Sequence, residues 1–390
     1  MTREEVRKEI LDLKNPHILC ELPTSYGKSK IALDTMANRV TPKSKILIVI
    51  PRNVLKDNWR DEFKKWGYAD YLLAVKFVTY VSFPKEARDW DFVIFDECHH
   101  LSERCQEALE GYTIKNSILL SATVKRDFKY TLKALFPNLA TYKVNIKEAT
   151  KEGVLPDPRI YLIPLNLDTR YPTYQIVKNS TKGNPITIPY SERFKYNGVK
   201  TRKIIIKCTQ KQYYNDLSSL IEWYKKKVYS EIFKHMFLRK SGERLKWLSD
   251  QKTAFVSSLL EKLSKERTLT FCNSIAQTEV LGTNCVNSKN KEAESILNKF
   301  NDGLINHITA CNMLDEGVNL ANCRVGIYAS LNSSERMIKQ KLGRLLRHKD
   351  PIIIIPYYKD TRDEELVKRM CEDYNPDLIT VINNINDLKL

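Results

Sequence analysis

Leu22-Pro23-Thr24-Ser25-Tyr26-Gly27-Lys28-Ser29 follows a run of β-type residues, 17–22, and leads into a helix-like segment, 28–39. Strand, loop and helix in that order are the setting of a phosphate-binding turn. Backbone N–H groups at the start of a helix point at an anion, and the helix dipole favours negative charge there. Residues Pro23 to Ser29 are therefore the candidate nucleotide cradle. Lys28 is placed to reach the β and γ phosphates, and Ser29 to give its hydroxyl to Mg²⁺. The spacing departs from the common glycine-rich pattern, because Pro23, Thr24, Ser25 and Tyr26 precede Gly27. Taken alone, Gly27-Lys28-Ser29 also fits an ordinary surface helix start, so the reading turns on what lies downstream.

Downstream, Phe92-Val-Ile-Phe-Asp-Glu-Cys-His-His100 is the second anchor. Its apolar run, like Ile46-Leu-Ile-Val-Ile50, is continuous and not alternating. That marks a strand covered on both faces, as in a parallel sheet packed between helices. Asp96 and Glu97 then stand at the carboxyl end of a buried strand, where open α/β sheets bind their ligands. Adjacent carboxylates in low dielectric repel, and a divalent cation relieves that. Asp96 is the candidate Mg²⁺ ligand and Glu97 the candidate general base toward water. A strand followed by an N-capping Asp and a first-turn Glu is the plainer alternative; the phosphate-binding stretch upstream weighs against it.

The chain has 390 residues, 42% hydrophobic and 28% charged, with a net charge of +17. It is long enough for two or three domains with sizeable cores. The positive field suits a polyanion, most simply nucleic acid, although a Lys-rich solvated surface has the same balance. Nine cysteines are scattered singly, without a Cys-x-x-Cys pair. With no apolar leader at the N-terminus, this reads as reduced thiols in the cytoplasm. Cys98, His99, His100 and Cys105 lack the second pair of ligands that a closed zinc site needs. No apolar run approaches the ~20 residues required to cross a bilayer.

Strand candidates alternate with helices at 17–22, 45–50, 75–79, 92–96 and 117–120, with a helix at 53–66. This grammar closes a first α/β domain, 1–147. From 148 a second domain runs to 390, with an insert at about 166–263. Prolines 156, 158, 164, 172, 185 and 189 break any long helix there, so 166–200 reads as an irregular Tyr- and Lys-rich insert. Residues 209–263 read as two or three helices. Lys225, Lys226 and Lys227 open a basic stretch interleaved with Tyr229, Phe233 and Phe237, which fits either a phosphate-backbone contact or a solvated helix face over a core. A second alternation follows, with strands at 268–272, 307–310, 324–328 and 352–355.

In this order, the cradle, Asp96-Glu-Cys-His99 and Ser121-Ala-Thr123 resemble motifs I, II and III of a superfamily 2 helicase of the Asp-Glu-x-His kind. Thr270-Phe-Cys-Asn-Ser274, Thr309-Ala-Cys-Asn-Met-Leu-Asp-Glu-Gly-Val-Asn319 and Gln340-Lys-Leu-Gly-Arg-Leu-Leu-Arg347 resemble motifs IV, V and VI, and Pro51 with Leu55, Trp59 and Phe63 resembles motif Ia. The resemblance spans about 15–350. Within the superfamily the wording of motif I and the compact length are similar to phage recombination and fork-remodelling helicases of the UvsW kind.

The resemblance implies two RecA-like parallel-sheet lobes, ATP with Mg²⁺ in the cleft between them, and nucleic acid across both. It implies Gln340 beside the γ-phosphate and Arg344 and Arg347 as arginine fingers. Positions 340, 344 and 347 also share one helix face by spacing. It places Asp315 and Gly317 at the cleft, and Arg52, Thr79 and Thr309 against nucleic acid. The glutamine that often contacts adenine has no counterpart; the region offers Arg3, Glu4 and Glu5. No separate oligonucleotide-binding domain is expected at either end. The expectation is a monomeric ATP-dependent DNA helicase or translocase acting on single-stranded or branched DNA. An RNA helicase and an ATP-inert nucleic-acid clamp are the alternatives.

Overall fold

The computed structural model describes residues 2–178, 184–195, 203–282, 284–311, 320, 323–331, 348–372 and 374–390. Within the first 143 residues, six strands form one parallel sheet. They are β1 (His17–Glu21), β2 (Ile46–Ile50), β3 (Val75–Thr79), β4 (Asp89–Phe95), β5 (Thr113–Ser121) and β6 (Ala140–Lys143), in the order β3-β2-β4-β5-β1-β6. Helices α1 (Arg3–Asp12), α2 (Lys28–Ala37), α3 (Leu55–Lys65), α4 (Glu103–Leu109) and α5 (Arg126–Leu135) accompany it. All five residues of β2 are fully buried, which is why that strand is an unbroken apolar run. Alternate side chains of the central strands feed two separate cores, one with α2 and α3 and one with α4 and α5. In α3 only Leu55, Trp59 and Phe63 are buried, the i, i+4, i+8 stripe of a helix lying on a sheet.

The order of strands does the positioning. β4, β5 and β1 are neighbours, paired in parallel. Their carboxyl ends therefore deliver Asp96 and Glu97, then Ser121 to Thr123, then the cradle, to one end of the sheet's central strands.

Helix α6 (Ile146–Lys151) and the segment 152–158 lead to a second parallel sheet. Its strands are β7 (Arg159–Leu165), β11 (Thr268–Phe271), β12 (Cys285–Val286), β13 (His307–Ala310), β14 (Val325–Tyr328), β15 (Ile352–Tyr358) and β16 (Ile379–Val381). They run in the order β12-β13-β11-β14-β15-β7-β16. Pro164 in β7 costs no ladder bond on one side, because β16 pairs only with residues 160–162.

The insert is more ordered than its prolines predict. It contains β8 (Tyr174–Lys178), β9 (Ile186–Pro189) and β10 (Ile204–Cys208) as a small mixed sheet in the order β8-β10-β9. Pro172 and Pro185 lie just outside β8 and β9, so they bound these strands and do not interrupt them. Three helices follow: α7 (Gln210–Lys225), α8 (Glu231–Gln251) and α9 (Thr253–Lys262). The α8–α9 junction is pinned by Lys252, which is fully buried and 2.8 Å from Asp363 on the helix Arg362–Cys371.

Candidate nucleotide and nucleic-acid site

Chain direction and backbone strain build the cradle. β1 ends at Glu21, and Tyr26 N–H closes a tight turn on the Pro23 carbonyl at 3.2 Å. Ser25 (φ 68°) and Gly27 (φ 99°) are both left-handed. Glycine adopts that conformation freely; serine does so at a cost of about 1–2 kcal/mol. Gly27 is the N-cap of α2 and supplies no side chain to its first turn. The leading N–H groups of α2, at Lys28 to Lys30, are thus left to whatever lies in front of the helix. A Cβ at Gly27 would meet nothing within 4 Å, and the Thr24 hydroxyl is buried without a hydrogen-bond partner among the described residues. An open, donor-lined turn with an orphaned hydroxyl fits a phosphate chain. The Tyr26 ring itself is 2% exposed and packs in the core, so that residue can face a nucleotide only through its backbone.

Lys28 closes on the second anchor: its Nζ donates to Glu97 Oε1 at 3.0 Å. Glu97 is also left-handed (φ 52°), a strain that turns its carboxylate off the end of β4 toward the cradle. Asp96 is held differently. Its N–H donates to the Val49 carbonyl at 2.9 Å, and Trp59 Nε1 donates to its Oδ2 at 3.0 Å. Tyr80 OH donates to its carbonyl at 2.8 Å. A hydrogen bond from a buried indole fixes the carboxylate's orientation, which suits it to hold a Mg²⁺ ion. Ser29 and Asp96 are the residues that would hold the ion.

The third strand end joins the same chain of contacts. Ser121 Oγ donates to the Thr123 carbonyl at 2.9 Å. With that proton committed, the 3.0 Å bond between His99 Nδ1 and Ser121 Oγ has the imidazole as donor. The same Nδ1 lies 3.3 Å from Glu97 Oε2. Thr123, Ser121, His99, Glu97 and Lys28 are thereby linked in series, from the third strand end to the phosphate loop. The surroundings are dry: burial pushes the Cys20 thiol up to about 12, and burial, then the Glu97 charge, push Cys98 well above its ordinary value.

Beside this relay is a cavity of about 1010 Å³, with Thr24, His99 and Thr123 on its wall and Lys125, Lys129, Lys143 and Lys147 around it. Glu372 of the second lobe also lines it, so it opens between the lobes. Glu21 at its base takes Val124 N–H at 3.2 Å and an ion pair from Lys129.

Two residues at the site escaped the sequence. Trp59 is visible as a buried helix position but not as the Asp96 partner. Arg3 donates from one nitrogen, Nη2, to the Ser25 carbonyl at 3.2 Å and to the Val154 carbonyl at 2.8 Å. It bridges the phosphate loop to the segment that joins the lobes. No spacing rule connects positions 22 and 151 residues apart.

The nucleic-acid candidates divide. Arg52 is exposed at the end of β2, and Thr79 ends β3 with its hydroxyl 3.2 Å from Ser82 Oγ. Thr309 is not available: it is fully buried, and its hydroxyl donates to the Thr278 carbonyl at 3.2 Å. The two-residue strand β12, pairing Cys285 with Thr309, brings this cover into place. Lys225, Lys226 and Lys227 sit at the end of α7, where the chain turns into α8. Lys225 reaches Glu222 at 3.7 Å, and Lys227 lies over the Trp223 ring at 3.9 Å. Further along, Lys234, Lys240 and Lys246 each meet an acid of the same helix, as on a solvated face. Asp315, Gly317, Gln340, Arg344 and Arg347 lie outside the described residues.

Comparison with known proteins finds helicase-type domains in both halves of the chain. Residues 251–349 match the helicase conserved C-terminal domain, and residues 3–90 match a family described as type III restriction enzyme, res subunit. The DNA 3'-5' translocase XPB2 of Sulfurisphaera tokodaii is 24% identical over 92% of this chain and 82% of its own length. Among solved structures, S. cerevisiae Dbp5 bound to RNA and ADP BeF3 aligns over 99% of this chain and 90% of its own, with a TM-score of 0.59 at 12% identity. The Pyrococcus furiosus Hef helicase domain aligns over 94% and 97%, with a TM-score of 0.50 at 15% identity. These two likenesses are of fold: two parallel-sheet α/β lobes of the RecA-like kind.

Proposed function

We propose that this chain is a superfamily 2 helicase and an ATP-driven DNA motor, a translocase or helicase whose lobes close and open around nucleotide and step along one strand. The observation that carries the reading is the contact of Lys28 with Glu97 at 3.0 Å, which brings the phosphate loop and the Asp96–Glu97 pair into one site. The preference for DNA is supported by the likeness to the S. tokodaii translocase.

The chain's own residues divide the work. The cradle and Lys28 bind the phosphates. Bound Mg²⁺ would neutralise phosphate charge, and Ser29 with Asp96 would hold it. Glu97 orients water and takes its proton. Arg344 and Arg347 are assigned from the sequence to the second side of the phosphoryl group. His99 and Ser121 join the nucleotide side to the cavity between the lobes. Contact with the track is through the phosphate backbone, since a motor must move over any bases. Asp96-Glu97-Cys98-His99 supports placement among helicases of the Asp-Glu-x-His kind. The wording of residues 22–29 supports a place with recombination and fork-remodelling enzymes, working as monomers.

Steady-state ATPase at fixed salt, without nucleic acid and with single-stranded DNA, branched DNA or RNA, tests the reading. DNA stimulation that is abolished in Lys28→Ala is the expected result. Stimulation by RNA alone would move the protein to the RNA branch, and absence of any turnover would leave a nucleic-acid clamp.

A further inference from the structure

The small sheet of the insert has one face covered and one open. Ile176, Ile186, Ile188, Ile204 and Ile206 form a core on one face. By register, Gln175, Val177, Thr187, Pro189, Ile205 and Lys207 point the other way: Ile205 lies between Val177 and Thr187, and Lys207 between Gln175 and Pro189. Val177 is 53% exposed. At the end of this face is a groove of about 580 Å³ lined by Arg170, Pro172, Pro189, Tyr190, Lys207 and Gln212.

Large rings stand in solvent at two rims of this sheet, one beside the groove and one across the covered face. Tyr171, between the groove residues Arg170 and Pro172, is 58% exposed. On the covered side, Tyr190 packs on the isoleucine core and Lys178 Nζ donates to the Arg193 carbonyl at 3.2 Å; there Phe194 is 62% exposed and completes a stack in which the Arg193 guanidinium lies 4.1 Å from the Tyr190 ring and 4.2 Å from the Phe194 ring. The charge around them is one-sided. Within the described part of 169–209 the basic residues are Arg170, Lys178, Arg193, Lys195, Lys203 and Lys207, against Glu192 as the one acid. Glu192 answers Lys195 at 3.4 Å, and Asp168 lies 3.9 Å from Arg170. The sheet is also fixed in place. Tyr174 of β8 packs on Tyr213 and Trp247 of α7 and α8 and donates to Gln251.

We infer that this insert is a binding platform for single-stranded DNA, with bases against the exposed rings and phosphates on Arg170, Arg193 and Lys207. Solvated aromatics interleaved with cations on a rigid base match the chemistry of an unpaired strand, whose bases expose π-faces and whose backbone is anionic. A duplex hides its bases and would use the charges alone. The choice of DNA rests on the motor reading above; the stacking surface does not.

The test uses the full chain without ATP. Fluorescence anisotropy of labelled oligothymidine and of a blunt DNA duplex is measured at one salt concentration for the wild type, the double variant Tyr171→Ala/Phe194→Ala and the ring-preserving Tyr171→Phe/Phe194→Tyr. Stacking on two rings predicts that the alanine pair binds oligothymidine at least about 10-fold more weakly. The ring-preserving pair and all duplex affinities should stay within about 2-fold of wild type. Unchanged oligothymidine binding, or an equal loss on the duplex, would overturn the platform. A larger loss on oligouridine RNA would overturn the assignment to DNA. If wild type shows ring-dependent strand binding but no DNA-stimulated ATPase, the motor reading falls and the platform stands.

Discussion

Replacing Glu97 by Gln separates its contact with Lys28 from the general-base role proposed for the same side chain. Glu97 accepts from Lys28 at 3.0 Å, with the two side chains 15% and 12% exposed. The carboxylate therefore holds the lysine assigned to the phosphates. The amide keeps a hydrogen bond to the charged lysine but loses the charge–charge attraction, which for a pair this close to the surface is worth on the order of 1 kcal/mol, so Lys28 should be released about 1 kcal/mol more easily. ATP affinity is then expected to rise about 5-fold. Loss of the general base should meanwhile lower turnover about 10²–10⁴-fold. Titration with a fluorescent ATP analogue reads the first effect, and steady-state ATPase at saturating nucleotide reads the second. The left-handed backbone at position 97 accepts Gln about as poorly as Glu, so thermal stability should barely change. A variant that loses affinity in step with turnover would refute the argument, since Glu97 would then hold nucleotide or metal and not water.

Trp59→Phe keeps a ring in the core but removes the N–H that orients Asp96; the Mg²⁺ concentration for half-maximal ATPase should rise about 10-fold or more, and an unchanged Mg²⁺ titration would dissociate the indole from the metal site. His17 is buried beside Ser117 and its pKa is lowered to about 4 by burial and then by Arg39. It is neutral in the folded chain, so its contribution is intact above pH 6.5 and is lost as pH falls toward 4, by about 3 kcal/mol in all. Urea unfolding between pH 7 and 4.5 should show that fall together with a similar one from buried His307, whose pKa is also lowered to about 4, and His17→Gln should remove its own share, about half of the slope. Lys252→Met leaves Asp363 buried and unpaired, and should cost about 3–5 kcal/mol; a loss under 1 kcal/mol in urea unfolding would mean that water reaches the carboxylate.

The parts of this molecule that could be read in advance are those where local sequence and global structure obey the same rule. Ile46–Ile50 and the apolar half of β4 announce buried parallel strands, because each residue meets a helix on one face or the other. Lys28, Ser29, Asp96 and Glu97 are legible because phosphate and metal chemistry require those groups at strand ends. The hidden parts depend on contacts between distant segments. β8 and β9 are short and flanked by prolines, so their composition resembles loop until β10 pairs with both. Thr309 looks available in its motif, and its burial is decided by a two-residue strand and the Thr278 carbonyl. Trp59 as an orienting donor and Arg3 as a bridge carry no pattern of their own; only the fold brings them to their partners.

Arg3 spans the Ser25 and Val154 carbonyls with a single nitrogen, so one side chain connects the phosphate loop to the segment 152–158 that leads into the second sheet. A shift of Val154 relative to α1 would stretch or relax that bond, and with it the left-handed turn at Ser25. Mechanical load has a direct route here. Tension on the track that draws the lobes apart would be felt at the nucleotide as a change in grip, making fuel affinity a function of force.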